Sequence, residues 1–289
     1  SLNKVDGSDN SNNYELVWSN EFNDNDLSNW NIETGYGPNN DGWGNDESQL
    51  YTNSSENILV DSGNLVITAK CDLTVNGSCG MRDGSITSAR VTTKDKVEFR
   101  YGKIEARIKV PSGTSTWPAL WMLGAAFPDT PWPNAGEIDI MEVWQTGESS
   151  INQSNSTIHY DLNGRVLESG NTILPDALSD DFNVWTMEWT ESEIKFAVEN
   201  EEYLTIDITD SKYDAFRKPF FLLMNIAVDG TLGGSPNQIV NTQQEMFVDY
   251  VRLYQNPDNT DNLFTEKSSA FGEKSLIDNG DFSDDSLAW

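Results

Sequence analysis

Polar and apolar side chains alternate one for one over residues 103–110, with Lys103, Glu105, Arg107 and Lys109 on one side and Ile104, Ala106, Ile108 and Val110 on the other. A period of two belongs to a half-buried antiparallel strand, because successive side chains point to opposite faces. Its charged side is read as a solvated face. Comparable short runs at 65–69, 85–91, 97–100, 183–189, 194–198, 220–228 and 246–254 are separated by turn residues. Helical periodicity is nearly absent; only 210–217 reads as two turns, stopped before Pro219. Many short strands with turn signals between them predict an all-β sandwich or barrel over residues 14–255.

One stretch breaks the alternation. In Gly136-Glu137-Ile138-Asp139-Ile140-Met141-Glu142-Val143-Trp144, Glu137 and Asp139 share one strand face and Ile138 and Ile140 the other. On an unbroken strand Glu142 would fall in the isoleucine layer, where an unpaired charge costs several kcal/mol. A β-bulge at Ile140-Met141 returns it to the face of Glu137 and Asp139, and bulges are common beside active sites. Two long Glu side chains flanking a shorter Asp suit a retaining glycosidase, whose two carboxyl groups stand about 5–5.5 Å apart. An ordinary solvated strand face is the alternative, although like charges along one face repel.

Charge narrows the partners. The 289 residues carry 18 Lys and Arg against 47 Asp and Glu, a formal charge of −29. Such a field repels nucleic acid and anionic membrane surfaces and disfavours sulfated or uronic polysaccharides. No apolar run approaches the length of about 20 residues needed to span a bilayer. A neutral partner and a monomer are expected. Cys71 and Cys79 flank a short loop and could close a disulfide, which would place the chain outside the cell, in a periplasm or at the cell surface; two reduced thiols are the alternative. Residues 1–13 are polar enough to read as a flexible leader without a signal region, so any secretion signal is expected to have been removed. Residues 256–274 read as a linker, and 275–289 regain apolar character.

Aromatic and amide groups cluster in two places. Trp117 and Trp121, in Trp117-Pro118-Ala119-Leu120-Trp121-Met122-Leu123, oppose Leu120 and Met122 and offer flat apolar faces to sugar rings, or else fill a large core. Trp43, in Trp43-Gly44-Asn45-Asp46-Glu47-Ser48-Gln49-Leu50-Tyr51, sits with amides that hydrogen-bond hydroxyls in both directions. His159 is the single histidine, so a His-rich zinc site and, without a nucleophile elbow, a Ser-His-Asp triad both drop out. It is expected to support a neighbouring group and is counted among the sugar-binding residues.

These motifs, together with Ile86-Thr87-Ser88-Ala89-Arg90, Tyr101-Gly102-Lys103-Ile104-Glu105-Ala106-Arg107 and Val248-Asp249-Tyr250-Val251-Arg252-Leu253-Tyr254, resemble glycoside hydrolase family 16, in its laminarinase branch. The resemblance implies a β-jelly-roll of two antiparallel sheets with a concave cleft, cleaving neutral β-1,3-glucan internally. It implies Glu137 as nucleophile, Glu142 as acid/base and Asp139 as the helper between them, with Trp117, Trp121, Asn45 and Arg90 contacting sugars on the non-reducing side. It also implies a structural calcium, not required for catalysis, at Glu21, Gly63 and Asp249; oxygen-only ligation suits that ion. Mixed-linkage glucanase and a non-catalytic glucan-binding sandwich are the rival readings. Ser275 to Phe282 resemble the opening of a family 4-type carbohydrate-binding module. The chain departs from the family at Ala227-Val228-Asp229-Gly230-Thr231-Leu232-Gly233-Gly234, where relatives often carry an aromatic, and at Asp161-Leu162-Asn163-Gly164.

Overall fold

The computed structural model describes residues 13–144, 151–234 and 243–267 of the 289. Its strands form two sheets. Across one, the order is Arg165–Ile173, Gln153–Asp161, Glu137–Glu142, Thr116–Gly124, Phe220–Val228, Arg90–Thr92 and Asn31–Glu33, with Val97–Arg100 also pairing with Phe220–Val228. Across the other it is Glu201–Asp207, Glu193–Val198, Asn183–Trp189, Gly102–Lys109, Gln243–Gln255, Asn64–Cys71, Ile86–Ser88 and Leu50–Tyr51, with Glu15–Asn20 and Ile58–Asp61 paired alongside. The contacts are antiparallel apart from the short parallel one between Leu50–Tyr51 and Ile86–Ser88. The result is a β-jelly-roll sandwich.

Alternation in the strands builds the layer between the sheets. Ile104, Ala106 and Ile108 from one sheet meet Leu120, Met122, Ile138, Leu222, Met224 and Ile226 from the other, all buried in one cluster. Each Ile, Leu or Met side chain among them contributes about 1.5–3 kcal/mol when fully buried. Much of the aromatic content lies here too: Trp185 and Trp189 are fully buried, and each indole N–H finds an oxygen, Ser154 Oγ at 2.9 Å and Phe216 O at 3.0 Å. Gln243–Gln255 changes parity midway. Met246 and Val248 point inward, then Val251 and Leu253, and the ladder to Gly102–Lys109 slips between Val248 and Tyr250. Asp249 is the extra residue at that slip.

Three sequence expectations are corrected. The run at 85–91 is two strands: the chain changes sheets at the buried Ala89, so that Ile86–Ser88 belongs to one sheet and Arg90–Thr92 to the other. The expected linker at 256–274 contains Leu263–Glu266, which pairs antiparallel with Val97–Arg100. The polar turn before it is held by Gln255 Nε2 donating to Leu263 O and Arg100 Nε donating to Asp261 O, so the β unit extends past Gln255. A four-residue edge strand takes its identity from a distant partner and leaves little local signal. The charged side of 103–110 is paired as well as solvated: Arg107 meets Asp249 at 2.8 Å, and Glu105 accepts from Tyr250 Oη at 3.0 Å. Ser211–Arg217 is helical as expected, and Asp210 accepts from Lys212 N at its start. The leader, apart from Asn13, and the 275–289 segment lie outside the described residues.

Gly136 opens the acidic strand with φ +84, and a Cβ there would stand 2.9 Å from Phe220 Cζ and 3.0 Å from Ala215 Cβ. A left-handed backbone and a close approach both favour glycine. Gly136→Ala should therefore destabilise the fold by about 1–3 kcal/mol, which at about 2–4 °C per kcal/mol for a domain of this size lowers the melting temperature by several degrees. A thermal melt monitored by circular dichroism checks this, and an unchanged midpoint contradicts it.

Candidate active site

The bulge is present where the parity conflict requires it. Asp139 pairs with Thr157 and Glu142 with Asn155, so Ile140 and Met141 together oppose Ser156 alone. Adjacent in sequence, both enter the core, and Glu142 emerges on the face of Glu137 and Asp139. Ser156 Oγ donates to Ile140 O at 2.7 Å, satisfying a carbonyl that the ladder leaves out.

Every acid on this face has a specific neighbour. Trp117 Nε1 donates to Glu142 Oε1 at 2.9 Å. Trp132 Nε1 donates to Glu137 Oε2 at 2.8 Å. His159, directly across the ladder from Glu137, places Nε2 at 3.4 Å from Glu137 Oε1 and 3.1 Å from Asp139 Oδ2. Its Nδ1 faces Arg165 Nη2 at 3.4 Å. Burial lowers the imidazole pKa, which favours the neutral ring. All three carboxyl pKa values rise. Burial, then the Asp139 charge, pushes Glu137 up to about 8. Burial is again the first cause for Glu142, pushed up to about 7, with the Glu137 charge adding to it. Asp139 is pushed well up by burial and by Glu142. Burial is thus the first cause for all three acids, and their mutual repulsion adds to it.

A second patch adjoins the acids through Trp121. Its Nε1 donates to Asn225 Oδ1 at 2.8 Å, Asn225 Nδ2 donates to Tyr51 Oη at 3.0 Å, and Tyr51 Oη donates to Glu47 Oε2 at 3.3 Å. The buried Glu47 also accepts from Asn45 Nδ2 at 3.2 Å and Gln49 Nε2 at 2.7 Å. The Arg90 guanidinium lies 4.3 Å from the Trp43 ring centre and 5.0 Å from that of Trp121, and its Nε pairs with Glu33. The 42–46 turn is left-handed at Gly42, Trp43 and Gly44. At Gly42 a Cβ would come within 2.3 Å of Glu47 N, so glycine alone fits.

The acids, Trp117, Trp121 and His159 thus form one face, while Asn45, Arg90 and Trp43 form the adjoining patch. Trp117 and Trp121 stand outside the main core cluster: Trp117 is buried against Glu142, and Trp121 is half-buried and packs on a smaller apolar cluster with Leu123 and Phe221. His159 touches the carboxylates directly, a closer role than support from behind. Sequence reading missed Trp132, Asn225 and Glu33. Trp132 is carried on a loop seated by a small cluster of Leu123, Phe127, Ala135, Phe221 and Leu223, and its local Pro-Trp-Pro context gives no hint of that destination. Asn225 had a signal: it is the one polar residue in the strand Phe220–Val228. On the opposite sheet, Glu15–Asn20 pairs with Gln243–Gln255 from Val251 onward and Asn64–Cys71 pairs with it up to Val248, so Glu21, Gly63 and Asp249 lie around one junction. There Glu21 accepts from Arg252 through both oxygens, at 2.8 and 2.9 Å, and Asp249 accepts from Arg107. Cys71 and Cys79 are bridged.

Comparison with known proteins agrees with this geometry. Residues 45–252 match the family model described as glycosyl hydrolases family 16. The chain is 36% identical over 258 residues to a glucan endo-1,3-beta-glucosidase A1 of Niallia circulans, covering 83% of this chain but 37% of that protein, so it spans little more than a third of the relative's length. It is 36% identical over 271 residues to a beta-glucanase of Rhodothermus marinus, covering 86% and 88% respectively. The catalytic domain of an endo-1,3-beta-glucanase (laminarinase) from Thermotoga petrophila superposes with a TM-score of 0.74 at 36% identity, covering 86% of this chain and all of that one.

A carboxyl whose folded pKa lies above its unfolded value supports the fold when protonated, and that support is lost as pH rises through the folded pKa. For Glu137 the window runs from the ordinary 4.5 to about 8. Glu137→Gln should therefore melt higher than the parent at about pH 8.5, by on the order of 2–5 kcal/mol, with the difference vanishing near pH 4. Melting both proteins across that range checks the sign.

Proposed function

As a member of glycosyl hydrolase family 16, the chain is a glycoside hydrolase, and we propose that it cleaves neutral β-1,3-glucan such as laminarin at internal linkages by double displacement. The observation that carries this reading is the bulge that sets Glu137 and Glu142 on one face, each tied to an indole N–H and flanked by sugar-sized aromatic surfaces. The names of the relatives support the linkage. The negative charge of the chain supports a neutral glucan over sulfated ones.

In the first step Glu142 gives its proton to the glycosidic oxygen as the bond to the leaving sugar breaks and a Glu137 oxygen bonds to the anomeric carbon. In the second, Glu142, now ionised, takes a proton from water, whose oxygen displaces Glu137. The raised pKa of Glu142 suits the acid role. Glu137 must be anionic to attack. Asp139 hydrogen-bonds to it in a bond that raises Glu137 and lowers Asp139, so the free protein keeps the shared proton on Glu137; its transfer to Asp139 leaves Glu137 charged and still held. His159, kept neutral by burial, faces both carboxyls without adding a competing charge.

Glu137→Ser should lower laminarin hydrolysis by several orders of magnitude while leaving oligosaccharide binding intact, and proton NMR of parent digests should show the β-anomer first. Appreciable turnover by the variant removes Glu137 from the nucleophile role, and inverted product discards the scheme. A panel of laminarin and mixed-linkage glucan tests the linkage.

The bridged cysteines support work in an oxidising compartment, outside the cell or in a periplasm, where the protein acts as a monomer. A structural calcium would use Glu21, the Gly63 carbonyl and Asp249, an oxygen donor set that suits it once Arg252 and Arg107 release the carboxylates. Calcium should then raise the melting temperature, and Asp249→Asn should remove that rise; equal midpoints in calcium and in EDTA would show that the arginine pairs alone neutralise this junction.

A further inference from the structure

The acid face also has the geometry of a transition-metal site. Among the described residues, Glu137, Asp139 and His159 form a group whose donor atoms all lie within 4.8 Å of one another. His159 Nε2 stands 3.4 Å from Glu137 Oε1 and 3.1 Å from Asp139 Oδ2. Donors on a tetrahedral zinc ion, at roughly 2.0–2.2 Å from the metal, stand roughly 3.3–3.5 Å apart. Both distances from the imidazole nitrogen are therefore close to ligand spacing before any ion arrives.

A second observation points the same way. Asp139 is 3% exposed, and its Oδ2 has no hydrogen-bond partner among the described residues; it lies 3.1 Å from His159 Nε2 without the alignment of a hydrogen bond. A buried acceptor left unsatisfied calls for an explanation, and a cation on this side supplies one. Glu137 is set up similarly. Trp132 holds Oε2 by its N–H and leaves Oε1 towards His159, the kind of outer partner that fixes a ligating carboxylate.

We propose that Glu137, Asp139 and His159 bind a divalent transition cation of the zinc type, and that the bound ion blocks the reaction by occupying the place of the proton and sugar carbon that these groups otherwise serve. A nitrogen donor with two carboxylates favours zinc over calcium or magnesium, which take oxygen ligands. Both cysteines are in a disulfide, so no thiolate draws the ion elsewhere. The neutral ring ligates through Nε2 as its Nδ1–H tautomer, with no net loss of a ring proton, and the proton that binding displaces is the one held by the Glu137–Asp139 pair. Arg165, exposed and 3.4 Å from Nδ1, must swing aside, so it opposes the metal.

Isothermal titration of zinc chloride into the full chain tests this, alongside His159→Gln, Glu137→Gln and Arg165→Gln proteins whose folding is checked by melting. Saturable 1:1 binding is expected, weakened at least about tenfold by His159→Gln and by Glu137→Gln and tightened by Arg165→Gln. No saturable binding, or binding unchanged in whichever of the first two variants folds, overturns the site. The titration uses no sugar, so it stands or falls apart from the glucan reading. With laminarin as substrate, zinc inhibition should be competitive and reversed by EDTA; non-competitive inhibition would place the ion elsewhere.

Discussion

A charge cannot sit unpaired in the apolar layer between two sheets, and the architecture of this site follows from that constraint. Leaving Glu142 in register would bury a carboxylate among isoleucines at a cost of several kcal/mol, more than one apolar side chain there returns. Inserting a single residue resolves the conflict: Ile140 and Met141 both enter the core, Ser156 takes up the stranded carbonyl, and the third acid comes out beside the other two. The same device recurs in the opposite sheet, where an extra residue at Asp249 changes the parity of Gln243–Gln255 and leaves a carboxylate beside Arg107.

Gathering three carboxyls on one strand face creates the next problem, since like charges in a poorly solvated place repel. The structure answers with directional donors more than with cations. Two indole N–H groups hold the outer acids, and a neutral imidazole faces Glu137 and Asp139. Full counter-charges would quench the acids, whereas N–H donors position them and leave their protons available. The cluster works against stability at alkaline pH, as is common where a site is built for chemistry.

The adjoining patch is coupled to the acids by a chain of hydrogen bonds running from Trp121 through Asn225 and Tyr51 to Glu47. Glu47 collects the amides of Asn45 and Gln49, and its backbone oxygen accepts from Arg82. Arg82 belongs to the loop that follows the Cys71–Cys79 bridge, so the disulfide, the strained 42–46 turn and the Trp121 platform form one braced unit. Arg90 completes it by lying against two indoles while Glu33 balances its charge.

The sequence by itself determined whatever depends on parity and residue type. Strict alternation announced the strands, the misplaced Glu142 announced the bulge, and Trp and Pro patterns marked Trp117 and Trp121, because those signals lie within a few residues of one another. Tertiary structure alone decided what depends on which strands meet. It moved Arg90 into the sheet that carries the three acids by a change of sheet at Ala89, recruited Leu263–Glu266 as an edge, and brought Trp132 from an irregular loop onto Glu137. It also pressed His159 against the acids by placing Gln153–Asp161 next to Glu137–Glu142. Contacts of this kind join residues whose separation along the chain carries no local pattern; they come into being when the sheets pack and water leaves the face between them.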